Sequence, residues 1–203
     1  MAVPWPTFIN TVGSYLNDSS EGKSLEQTAE KIALEYHKVV VSAGTILHAN
    51  PVLVQAPYVP IKLAIQKSLE DIFNSGETPQ LIHFLDWANA TSDYWLTTTM
   101  SPSPYHPLNM IASTGTSGIP VPITHTIING GVIPTLQADL LLAFAQPPAP
   151  IPAGIPTATK LAKAFTTHLS TVDGLQIELV TAGTPTTPTL ALPSPSGSWF
   201  GLV

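Results

Sequence analysis

From Ser101 to Pro156 the chain carries one formal charge, Asp139, among eleven prolines and five glycines. Segments such as Gly118-Ile119-Pro120-Val121-Pro122-Ile123 and Val132-Ile133-Pro134 set branched aliphatics beside prolines. Proline has no amide N–H to give, so the stretch as a whole is neither one helix nor a central strand. It is no membrane span either, because it holds no uninterrupted run of about 18 apolar residues. Its side chains therefore need cover from the chain's own helices, from further copies, or from a different protein.

The rest of the composition narrows the function classes. A chain of 203 residues can bury a genuine core as one domain, or as a compact half plus an extended half. Charged residues make up only 10%, against about a quarter in ordinary soluble domains. All seven basic residues are lysines and the net charge is −6, which argues against a phosphate-tracking surface, so no nucleic-acid partner is expected. The absence of cysteine excludes disulfides and thiolate chemistry. Met1-Ala2-Val3-Pro4-Trp5-Pro6 has neither the basic nor the apolar region of a secretory signal, so the expectation is a protein made in a cytoplasm and used without processing. No membrane span is expected anywhere in the chain.

Charge is unevenly spread. Residues 1–93 hold ten acids and five lysines, whereas 94–203 hold three acids and two lysines. The charged half reads as helices. Trp5, Phe8, Ile9, Val12 and Leu16 recur at helical spacing. Ser24-Leu25-Glu26-Gln27 is a capping box opening a second helix whose apolar stripe runs Leu25, Ala29, Ile32, Ala33, Tyr36, Val39 and Val40 to a stop near Gly44, with Glu26, Glu30, Lys31, Glu35 and Lys38 on the solvated face. Pro60 opens a third helix with Ile61, Ile65, Leu69, Ile72 and Phe73 on one side. Thr78-Pro79 opens a fourth with Leu81, Leu85, Ala88 and Trp95, and also Phe84, Trp87 and Tyr94.

The low-charge half is punctuated differently. A helix is expected over Pro134 to Ala145, then a polyproline strap over 147–156. Thr157 caps a late helix that stops at Asp173-Gly174, followed by a strand in which Leu175, Ile177 and Leu179 alternate with Gln176 and Glu178. That strand needs a partner, supplied by residues 119–128 or by another subunit. Residues 181–195 are Thr/Pro-rich and lead to Trp199-Phe200-Gly201-Leu202-Val203.

No chemical constellation stands out. Histidines 37, 48, 83, 106, 125 and 168 show no metal-ligand spacing, so no metal is expected; His37 reads as a helix flank and His168 as a helix edge. His83 and Asp86, three apart on a helix, could form an oriented base for a serine of the 113–117 loop, which would make a small serine-type hydrolase. That loop lacks the G-x-S-x-G elbow, however. The acids read as solvated, and Asn129-Gly130-Gly131 reads as a tight turn rather than a phosphate loop, so no cofactor is expected. Phe84, Trp87, Tyr94, Trp95 and Tyr105 read as core packing before they read as a platform for a hydrophobic ligand.

The helical head, the low-charge Pro/Thr/Gly-rich region and the late unit from Ala158-Thr159-Lys160-Leu161-Ala162-Lys163-Ala164-Phe165 through Val180 together resemble, in general style, the virion structural proteins of tailed bacteriophages. The expected fold is mainly α: a helical bundle over 1–100, an extended arm over 101–156 with one short helix at 134–145, a small α+β unit over 157–182, and an extended tail over 183–203. The expected role is a non-enzymatic subunit of a large symmetric assembly, located in a virion built in a host cytoplasm. Its partners would be copies of itself and other assembly subunits. Contacts are assigned to Ile119, Val121, Ile123, Leu136, Leu140 and Phe144 in the arm, and to Leu175, Ile177, Leu179, Trp199 and Phe200 beyond it.

Overall fold

A computed structural model describes residues 5–18, 23–43, 53–54, 57–76, 78–97, 99–100, 123–145 and 154–178. These residues are mainly helical. In chain order they form α1 (Trp5–Asn17), α2 (Leu25–Ala43), β1 (Leu53–Val54), α3 (Val59–Ser75), a 3-10 turn (Leu81–Phe84), α4 (Leu85–Leu96), β2 (Thr99–Met100), β3 (Ile123–Gly130), α5 (Ile133–Phe144), α6 (Gly154–Leu169) and β4 (Val172–Glu178). The strands form two antiparallel pairs, β1 with β2 and β3 with β4.

Local signals explain most helix starts. Ser24 Oγ accepts the Gln27 N–H while Gln27 Oε1 accepts the Ser24 N–H, both at 3.1 Å, which satisfies two otherwise orphaned amides at the head of α2. Pro60 lies in the first turn of α3, and Gly76, at φ 63°, ends that helix in the left-handed conformation. The fourth helix departs from expectation. Gln80 and His83, not Thr78-Pro79, cap the 3-10 turn, with the Gln80 N–H donating to His83 Nδ1 at 3.2 Å.

α6 also departs from expectation, since it begins at Gly154, inside the segment expected to be a strap, and Thr157 is buried within it rather than capping it. The cap comes instead from α1: Asn17 Oδ1 accepts the Gly154 N–H at 2.6 Å. A Cβ on Gly154 would stand 2.1 Å from the Gly13 carbonyl oxygen, and one on Gly13 would stand 2.9 Å from Ile155 Cα, so two glycines let the helices meet backbone to backbone.

One hydrophobic core joins both halves of the chain. Phe8 and Val12 of α1, Ile32 and Tyr36 of α2, Ile61 and Ile65 of α3, Trp87 and Trp95 of α4, Leu136 and Leu140 of α5, and Leu161 and Phe165 of α6 all belong to it. Phe165 is its aromatic hub, 4.5 Å from Tyr36, 5.9 Å from Phe8, 6.2 Å from Trp5 and 6.4 Å from Trp87 between ring centroids. Thus the second-half helices complete the interior that the first-half helices leave open. Glu35, read as solvated, is buried beneath its two partners, Lys38 at 2.8 Å and Lys31 at 3.4 Å. Phe73, read as part of the α3 core stripe, is exposed.

β3 and β4 pair from Ile123↔Glu178 to Gly130↔Val172, with a register shift between Ile127 and Asn129. β3 lies against α4 and β2. A Cβ on Gly130 would meet the Ser92 carbonyl oxygen at 2.3 Å, so this end of the strand rests directly on the α4 backbone.

Candidate functional surface

The residues that could have formed a catalytic base serve local structure. His83 Nδ1 accepts from the Gln80 amide, and the Asp86 carboxylate pairs with Lys67 Nζ on α3. No hydrogen bond joins His83 to Asp86 among the described residues, and the serines of the 113–117 loop lie outside those residues. The same residues contain no group of three His, Asp or Glu able to hold a metal, and no helix long and apolar enough to cross a membrane.

The aromatic set is interior. Phe84, Trp87, Tyr94 and Trp95 are buried, while Tyr105 lies outside the described residues. Trp95 Nε1–H donates to Tyr36 OH at 2.8 Å, and Tyr94 OH meets His37 Nδ1 at 2.8 Å. Burial raises both tyrosine pKa values above the ordinary phenol range and lowers that of half-buried His37.

On the polar side of the molecule an open groove of about 610 Å³ runs between the end of α1, the start of α2 and α3, and is lined by Tyr15, Asp18, Lys23, Glu30, Lys31 and Lys62 among others. Its charges are spent on one another. Lys62 pairs with Glu26 at 3.0 Å and Glu30 at 3.1 Å, and Tyr58 OH donates to Glu30 at 2.6 Å. That hydroxyl holds the Glu30 carboxyl below its usual range, and the glutamates hold Lys62 above its own. Lys23 caps the end of α1 by donating to the Tyr15 and Asp18 carbonyls. Among the described residues the groove presents no uncompensated cation or anion to a charged ligand.

The residues assigned to contacts fall into three sets. Leu136 and Leu140 are fully buried inside the chain, and Phe144 is half-buried with its ring 5.6 Å from Phe84 and 5.9 Å from Trp87. Ile123, Leu175 and Ile177 lie in the β3–β4 ribbon, where Thr124 is opposite Ile177 and Thr126 opposite Leu175. Ile119, Val121, Leu179, Trp199 and Phe200 lie outside the described residues.

What the body turns outward is a different group. Phe73 at the end of α3 is 57% exposed, Ile82 in the 3-10 turn 64%, and Leu142 on α5 62%; Leu81 is exposed beside them. Gln137 Nε2 donates to the Leu81 carbonyl at 2.7 Å, tying α5 to the turn, and α3 packs on that turn from the other side. The outer side of α5 continues the character with exposed Pro134 and Ala138. The signal was present in the sequence: Ile133 to Phe144 is apolar apart from Thr135, Gln137 and Asp139, more apolar than one buried face requires.

A second feature, read as a mere helix edge, is interior. His168 near the end of α6 is fully buried, and neither ring nitrogen has a hydrogen-bond partner. Burial pushes the imidazole down to about 4. Its ring lies under the turn from β3 into α5: a Cβ on Gly131, which has φ +100°, would stand 2.4 Å from Nε2. The Gly131 N–H is held by Asn129 Oδ1 at 2.9 Å. Thr171 clasps the two sides of this joint, since its Oγ1 accepts the Val132 N–H at 2.9 Å and donates to the His168 carbonyl at 2.6 Å. Comparison of the chain with protein-family models, curated proteins and solved structures returned no match.

Proposed function

We propose that this chain is a non-enzymatic structural subunit of a large symmetric assembly, of the kind found in tailed-phage virions, that meets neighbouring subunits through uncharged apolar surface. The observation that carries this reading is the set of exposed apolar side chains Phe73, Leu81, Ile82 and Leu142, borne by the 3-10 turn and the two helices that pack against it. Exposed apolar groups gathered on packed neighbouring elements are a mark of contact surfaces. The scarcity of charge supports it further, because a surface with few lysines and acids repels its neighbours weakly. The resemblance in style to virion proteins gives the kind of assembly, and the Pro-rich segments outside the described residues are proposed as additional contact arms.

The test is the mass of the full chain in solution, with and without two charges placed on that face. Wild-type protein is expected to self-associate in a concentration-dependent way, and Ile82→Lys/Leu142→Lys to shift it toward monomer with an unchanged helical signal. A wild-type chain that stays monodisperse and monomeric across concentration, and does not co-purify with a particle, would falsify the proposal.

A further inference from the structure

We propose that His168 is an acid-operated latch: taking up a second proton on its imidazole opens the joint at which β3 enters α5 and α6 enters β4. The inference stands apart from the assembly reading, because it concerns this joint alone. In the closed joint the imidazole is fully buried with both nitrogens unpartnered, and Gly131 sits directly on the ring. A neutral imidazole tolerates this position, whereas an imidazolium there would be a buried charge without a counter-ion.

Among the described residues the ring has no hydrogen-bond or ion-pair partner. α1 has no charged residue between Trp5 and Asn17. On α6 the nearest charged residue is Lys163, a cation more than one turn away. Asp93 on α4 is exposed beside Ser92, and Asp139 on α5 is half-buried, two turns beyond Val132. In the ribbon, His125 is opposite Gln176 and Asp173 is opposite Asn129. Opening to water is therefore the route by which His168 accommodates charge.

Beyond the β3–β4 ladder, which pairs Gly130 with Val172, and the packing of α5 on α6, the joint is clasped by the Thr171 hydroxyl and by the fit of Gly131 onto the ring. If the latch parts, the turn from β3 into α5 and the turn from α6 into β4 open to water, while the core packing of α5 on α6 stays in place. The direction in pH follows from linkage: the open state binds the proton more tightly than the closed one, so the closed joint loses stability as pH falls from the ordinary histidine value of about 6.5 toward about 4.

The experiment is amide-resolved hydrogen exchange on the full chain between pH 7.5 and pH 4, together with NMR titration of the histidine side chains. After correction for intrinsic chemistry, exchange of the amides of residues 131–136 and 166–174 is expected to accelerate roughly tenfold per pH unit below about pH 6.5 in the wild type. In His168→Gln it is expected to be flat. The amide resolution keeps half-buried His37, which titrates in the α2–α4 seam, out of the readout. An imidazole of His168 that titrates near 6.5 in the closed protein overturns the proposal, and this measurement needs no variant. An equal pH slope in His168→Gln overturns it as well.

Discussion

The α2–α3 seam and the α5–α6 half share one core but finish their surfaces in opposite ways. Along α2 and α3 every described lysine has a carboxylate within reach: Lys31 and Lys38 on Glu35, Lys62 on Glu26 and Glu30, Lys67 on Asp86. Water is the natural neighbour of such a coat. On the other half, α5 turns Leu142, Ala138 and Pro134 outward, and His168 near the end of α6 is buried with neither ring nitrogen hydrogen-bonded. The difference teaches that the uneven charge along the sequence is an uneven charge in space. The α2–α3 surface mixes its paired charges with exposed Val59, Leu63 and Phe73, whereas the α5 surface exposes apolar groups without such pairs among the described residues.

Substitutions can break or sharpen that contrast. The largest loss is expected at the hub: Phe165→Ala removes the ring against which Trp5, Phe8, Tyr36 and Trp87 pack, at a cost of about 3 to 5 kcal/mol in urea unfolding. A loss below 1 kcal/mol there would mean that the second half is not integral to the core. Gly131→Ala places a methyl on the His168 ring at a positive φ, and about 2 to 4 kcal/mol is expected. An unchanged denaturation midpoint would remove the joint from the structure's tight points.

Tyr36→Phe removes the buried hydroxyl that accepts the Trp95 indole N–H, for about 1 to 2 kcal/mol. It also tests alkaline behaviour. A buried tyrosine with a raised pKa keeps its proton when the unfolded chain loses it, so stability falls as pH rises above about 10, and the variant flattens that fall. An identical alkaline profile would assign the effect to Tyr94. On the solvent-finished side the effects shrink. Ser24→Ala loses one capping bond, about 1 kcal/mol by thermal or urea melting. Tyr58→Phe is expected to leave stability nearly unchanged while the Glu30 carboxyl titrates higher, as carbon-detected NMR would read. A stationary Glu30 would mean that the lysine, not the phenol, holds it down.

These residues also mark how far the sequence could be read. Ser24 with Gln27, and the stripe from Ala29 to Val40, are local patterns whose cause lies within one helix, and they appear where expected. Leu136 and Leu140 were equally visible as apolar, but periodicity identifies an apolar face without identifying what covers it; the cover is α6 and the N-terminal helices. Glu35 looked solvated because its spacing placed it there, while its burial depends on two lysine side chains folding over it. The start of α6 was hidden for a related reason: its cap, Asn17, belongs to another helix. His168 carried no local cue, since its surroundings come from Gly131 and Thr171 across a turn that no periodic pattern reports.

The contact between Asn17 and Gly154 spans 137 residues of chain. During synthesis at about 5 to 20 residues per second, α1 would leave the ribosome roughly 7 to 30 s before α6 exists to receive it. For that interval Phe8 and Val12, buried in the finished protein, are without their final partner. Helix 1 is thus made before the other described helices and is among the last of them to be seated, which places its docking late in folding and makes the nascent chain, rather than the folded one, the species most in need of protection from aggregation.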